Sequence, residues 1–104
     1  MSVNNVGYST MTVTDTAKVM ANACSPAMPG GAQGAVITVE AAQIRYRDDG
    51  TAPEAAEGHI LNVGDVLLYD SWTVPRNNWK QVLKAIQFIR TGGTDGMIKI
   101  SWYD

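Results

Sequence analysis

Cysteine is nearly missing from this 104-residue chain, in which Cys24 stands alone. One thiol makes neither an intrachain disulfide nor a thiolate metal cluster. Histidine is equally scarce, with His59 the single residue of its type. A Ser-His-Asp or Cys-His arrangement would have to use it, and no nucleophile signature accompanies it in sequence. Charge is thin as well, at 17% Asp, Glu, Lys and Arg, against about 25% in ordinary soluble domains. A surface this short of charge fits one partly covered by neighbouring subunits. The eight Lys and Arg against ten Asp and Glu give a net charge of −2. That balance supplies no basic stripe to release counterions from a phosphate backbone, so nucleic acid is not an expected partner. No apolar run approaches the roughly 18 residues of a membrane-spanning helix, so a membrane is not one either. Met1 to Asn5 has no basic residue and no apolar run of signal-peptide length, and a reducing cytoplasm is the expected place of synthesis.

What is present reads as short strands between turns. Residues 1–104 are long enough for one domain burying about two-thirds of its unfolded surface. Residues 1–7 are polar and read as an N-terminal arm. Tyr8 to Val13 alternates loosely and is rich in strand formers. Thr14 to Thr16 offers an N-cap to a short helix over 17–22. Ser25 to Gly34, with its prolines and glycines, is a loop. Ala35 to Glu40 is a strand apolar on both faces, and Ala41-Ala42 a tight link. His59 to Leu61 and Val66 to Tyr69 are strands around an Asn62 to Asp65 turn. Trp79, Val82 and Leu83 fall on one helical face. Ala85 to Thr91 and Met97 to Tyr103 alternate around Gly92 to Gly96 and read as a hairpin, with Ile98, Ile100 and Trp102 on its core face. This pattern predicts a mainly all-β fold, an antiparallel β-sandwich of jelly-roll-like form with one or two short helices.

The most informative stretch is Ile44-Arg45-Tyr46-Arg47-Asp48-Asp49-Gly50-Thr51-Ala52-Pro53, continued by Glu54-Ala55-Ala56-Glu57-Gly58-His59-Ile60-Leu61. Ile44 and Tyr46 point one way, Gln43, Arg45 and Arg47 the other, which is the period of a half-buried strand. Asp48-Asp49-Gly50 forms the structural turn that ends it, through Asx bonding and a glycine tolerant of positive φ. Pro53 then prevents a ladder bond, so the chain loops to about Gly58. This segment, with the Ile-Arg-ending strand at Ala85 to Arg90, the Thr91 to Gly96 turn and the closing strand to Tyr103, resembles small structural proteins of tailed bacteriophages. The likeness covers about residues 35–103. Glu54 departs from it, since members more often have Thr after the proline.

The resemblance implies a non-enzymatic virion component without a cofactor, most concretely a capsid decoration or cement protein on the capsid surface. Its partners would be the major capsid protein and further copies of itself, a homotrimer fitting shell positions of local threefold symmetry. A neck, tail or fibre-associated adaptor and a carbohydrate-binding attachment module are the alternatives. Pro53, Glu54 and Glu57 in the loop, and Trp72, Pro75, Arg76 and Asn77 further on, are the candidate interface residues; Trp72 is an amphipathic aromatic of the kind that anchors interfaces. His59 reads as a structural or surface histidine. Asp48, Asp49, Glu54 and Glu57 lack the acid spacing of a 12-residue calcium loop, and turn or ion-pair roles with Arg45 and Arg47 are expected instead. Arg45 and Arg47 share a strand face that excludes Tyr46, unlike a platform stacking single-stranded bases. Gly30 to Gly34 lacks the Lys-Ser/Thr of a phosphate loop.

Overall fold

A computed structural model describes residues 4–69 and 79–104, without the side chains of residues 79–81. The described residues form strands β1 (Asn5–Val13), β2 (Lys18–Val19), β3 (Gly34–Ala41), β4 (Ile44–Arg47), β5 (His59–Leu61), β6 (Val66–Tyr69), β7 (Gln87–Arg90) and β8 (Gly96–Tyr103). Two short helices, α1 (Met20–Ala23) and α2 (Trp79–Ala85), complete the elements. The chain is therefore mainly β. Its strands make two four-stranded sheets, ordered β1-β8-β3-β6 and β2-β7-β4-β5, and every pairing is antiparallel. The pairs β1 with β8, β2 with β7, β3 with β6 and β4 with β5 are nested. The two halves of the chain thus meet from the ends inward, and β3–β8 and β4–β7 contacts join the pairs into sheets.

Alternation explains the core. Along β8, Gly96, Ile98, Ile100 and Trp102 are buried while Met97, Lys99, Ser101 and Tyr103 are half-buried, the period of a strand with one face inward. Met11 and Val13 on β1 and Ile37 and Val39 on β3 join that face. Ile44, Leu61 and Phe88 from the other sheet, with Met20 of α1, Leu83 of α2 and Ile86 just after α2, belong to the same hydrophobic cluster. Trp102 is fully buried as expected. Its indole N–H donates to Ser9 Oγ at 2.9 Å, and Ser9 Oγ donates to the Pro26 carbonyl at 2.6 Å. Burying both residues leaves no donor stranded.

Four local expectations differ from the structure. Asn5 to Gly7, expected within an N-terminal arm, belong to β1, with Asn5 paired to Tyr103 and Gly7 to Trp102. The helix expected over 17–22 gives way to β2 and a single turn, α1. Lys18 and Val19 pair with Phe88 and Gln87, and Met20 N–H donates to the Ile86 carbonyl at 2.9 Å. A helix this short nucleates poorly, so strand pairing prevails over local propensity. Ala85 ends α2 and does not start a strand. The hairpin is the largest correction: β7 and β8 lie in different sheets. Phe88 pairs with Tyr46 and Ile98 with Val39, so residues 91–95 carry the chain from one sheet to the other. An Arg90–Asp95 ion pair braces that crossing.

The Ala41-Ala42 link makes the converse crossing, from β3 to β4, and Ala42 takes a φ of 62°. A left-handed alanine is strained by roughly 1–2 kcal/mol, while glycine loses about 0.5–1 kcal/mol more backbone entropy on folding. Ala42→Gly is therefore expected to stabilise the chain by about 0.5 kcal/mol. A rise in the urea midpoint at unchanged slope checks this; a fall would contradict the strained link.

Candidate interaction site

The site grows from the outward face of β4. Ile44 is buried and Tyr46 packs against the core, its ring centroid 6.1 Å from Phe88 and 5.1 Å from His59. Arg45 and Arg47 consequently face away from the core, over the loop that joins β4 to β5. Each arginine fixes a different part of it. Arg47 grips Asp49 through two guanidinium donors, Nε reaching Oδ1 at 3.1 Å and Nη2 reaching Oδ2. Thr51 N–H donates to the same carboxylate at 3.2 Å, and Gly50 takes a φ of 86° to close the turn. Arg45 makes no carboxylate pair among the described residues. Its Nε donates to the Ala55 carbonyl at 3.0 Å and its Nη1 to the Gly58 carbonyl at 2.7 Å.

The loop is built from within as well. Glu54 and Glu57 exchange both backbone bonds, at 2.9 and 3.0 Å. Gly58 takes a φ of 134°, and a Cβ there would stand 3.0 Å from the Tyr46 carbonyl oxygen and 3.3 Å from Pro53 Cβ. Only glycine meets both demands. At the loop's base, Tyr69 Oη donates to Asp48 Oδ2 at 2.6 Å. That bond joins the β4 turn to β6 in the opposite sheet.

The charges follow from this geometry. The Arg47 hydrogen bonds, aided by Thr51 N–H, hold the Asp49 carboxyl below the usual carboxylate range, and the same pair raises Arg47. Burial, then the bond to Asp48, pushes the Tyr69 phenol far above its ordinary value. Burial and the Asp48 charge also raise Tyr46. Beside these groups lies an open polar groove of about 420 Å³ lined by Arg47, Asp48, Asp49, Glu57, Gly58 and His59. No set of three or more His, Cys, Asp or Glu side chains is arranged to hold a metal ion among the described residues. The groove offers fixed donors and acceptors suited to recognising a polar surface.

The structure sorts the sequence candidates. Asp48, Asp49 and Gly50 form the turn expected of them, with Asp48 taken by Tyr69 and Asp49 by Arg47. Glu54 and Glu57 are exposed at the loop tip. Pro53 is the correction: it is fully buried, so it packs the loop from beneath and offers no outer surface. Its apolar ring has no donor to satisfy, which makes burial cheap. Trp72, Pro75, Arg76 and Asn77 lie outside the described residues. Sequence reasoning missed the Arg45 clamp and the Tyr69 tie. Arg45 is a second correction: expected with Arg47 to pair with the loop's acids, it donates to the Ala55 and Gly58 carbonyls, acceptors that leave no trace in side-chain identity. Compared with protein-family models, curated proteins and solved structures, the chain matches none.

Two measurements test the loop's bonds. Tyr69→Phe is expected to destabilise the chain by about 1–2 kcal/mol, since it deletes a hydrogen bond to a charged acceptor. The raised Tyr69 phenol contributes stability that is complete below about pH 10 and declines as pH rises toward its folded value. The difference in absorbance near 295 nm between the wild-type chain and Tyr69→Phe, which isolates Tyr69 from the other three tyrosines, is therefore expected to appear only with alkaline unfolding; a difference appearing in the folded chains near pH 10 would contradict the tie. Asp49 acts in the opposite sense, its contribution being present above about pH 4 and lost as pH falls through its depressed folded value. The small stability gap between the wild-type chain and Asp49→Asn should close in acid, and equal gaps at pH 6 and pH 2 would refute the pairing.

Proposed function

We propose that the two sheets stack as a jelly-roll β-sandwich and that the chain is a structural protein of a tailed-bacteriophage virion, most concretely a head decoration or cement protein. The observation that carries this reading is the nested strand order, 1 with 8, 2 with 7, 3 with 6 and 4 with 5. Eight strands folded back on themselves in two sheets are the plan of the jelly rolls used in viral capsid and lectin domains. The Ile44 to Leu61 segment, whose likeness is to phage structural proteins, forms the innermost strand pair and its clamped loop. The low charge fraction of 17% adds support, since a decoration protein covers much of its own surface with neighbours.

The role in this reading is mechanical. The exposed Glu54 to Glu57 tip and the adjoining polar groove contact shell subunits, and many symmetric copies turn modest contacts into avidity. Binding only the assembled shell stabilises that state by mass action. Quantitative mass spectrometry of particles from the encoding phage tests the proposal. Copies comparable to those of the major shell protein are expected. A few copies per particle would move the chain to the neck or tail, and complete absence would overturn the virion reading.

A further inference from the structure

The sheet edges are not protected alike. The outer edge of β1 is closed at Thr10, whose N–H and carbonyl both bond Ser25, at 3.0 and 2.8 Å. β2 has two residues, one of them Lys18, and β5 has three, beginning at His59. β6 is the second edge of the sheet that β1 begins, with β3 as its strand neighbour among the described residues. Its Val66–Leu68 stretch contains neither charge nor proline, the two residue types that most often blunt an edge. It also sends aliphatic side chains outward. Val66 is 60% exposed and Leu68 58%, with Val63 at 58% in the turn before them. On β3, half-buried Val36 stands opposite Leu68 and extends the apolar surface.

We propose that β6 pairs antiparallel with β6 of a second copy of this chain, about a twofold axis normal to the sheet. The β1-β8-β3-β6 sheets of the two copies then run on as one sheet of eight strands. Charge and parity select a copy of the chain as the occupant. Val66–Leu68 meets its own copy without like charges opposed, and the neighbouring Asp65 carboxylate is turned back onto Asn62 N–H at 2.7 Å. A twofold normal to the sheet keeps both outer faces on one side, so residues directly opposite must share a face. Centring the pair on Leu67 satisfies this. Val66 of each copy then faces Leu68 of the other, giving two aliphatic cross-strand pairs on the outer surface. Such a contact is isologous and closes at two copies. It is also small, in the class of weak interfaces below about 1,200 Å², so it populates at high concentration or where a surface gathers copies. The pairing rests on the sheet edge alone and does not depend on the virion role.

Sedimentation velocity of the full chain from about 10 μM to about 1 mM tests the proposal. A monomer that gives way to a dimer with rising concentration is expected. The double substitution Val66→Lys and Leu68→Lys should hold the chain monomeric throughout, with its far-ultraviolet circular dichroism unchanged because both positions are exposed. Tyr8→Lys, which alters a 56% exposed aromatic on the opposite edge strand, should leave the dimer intact. The register has its own readout, which also decides the matter should the lysine variant misfold. Val66→Cys and Leu68→Cys chains, oxidised as a mixture, should cross-link several-fold faster than either alone, native Cys24 being buried. A monomer at about 1 mM, a dimer indifferent to the lysine pair, a dimer lost with Tyr8→Lys, or cross-linking no faster in the mixture would overturn it.

Discussion

Antiparallel pairing of one half of the chain with the other is the constraint on which everything else depends. β1 meets β8 at the outside and β4 meets β5 at the inside. Each strand must turn its apolar alternate residues toward one shared core, which draws on both sheets. A slip of one residue in any pair would reverse the faces of that strand. The Trp102–Ser9–Pro26 hydrogen-bond chain, buried at its centre, fixes β8 against β1 at one position where the register cannot drift without stranding a donor.

The innermost pair carries the candidate interaction surface. Because β4 and β5 are consecutive and short, the loop between them leaves the sheet with little support of its own. Support comes from side chains: Arg45 on two carbonyls, Arg47 on Asp49, Pro53 packed underneath, and Tyr69 reaching from the other sheet to Asp48. Holding Glu54 and Glu57 at a stiff tip lowers the ordering entropy a partner has to overcome. The proposed contact role therefore follows from the same bonds that keep the loop in one shape.

Strand existence and facing were legible from period-two alternation wherever one face is strongly apolar, as in Ile98, Ile100 and Trp102 or in Ile44 and Tyr46. Partner identity was not. Nothing in Gln87 to Arg90 or Met97 to Tyr103 distinguishes a hairpin from a crossing between sheets, because a Gly-rich link of that length serves both. The helix that the pattern predicts over 17–22 does not form because Lys18 and Val19 find a ladder in β7 that no local signal records. In the loop, acids and arginines announced a turn and one ion pair correctly. The burial of Pro53 was hidden because a proline reads as surface until its neighbours are known.

The most direct test of the account is the strand order itself, read by Hα–Hα and amide nuclear Overhauser contacts in a uniformly labelled chain. Ladders are expected from β8 to both β1 and β3, including Ile100 with Ile37 and with Ser9, and from β7 to β4, including Phe88 with Tyr46. A continuous ladder between β7 and β8 would contradict that order, since that hairpin would dissolve the nesting and, with it, the support for the proposed jelly roll.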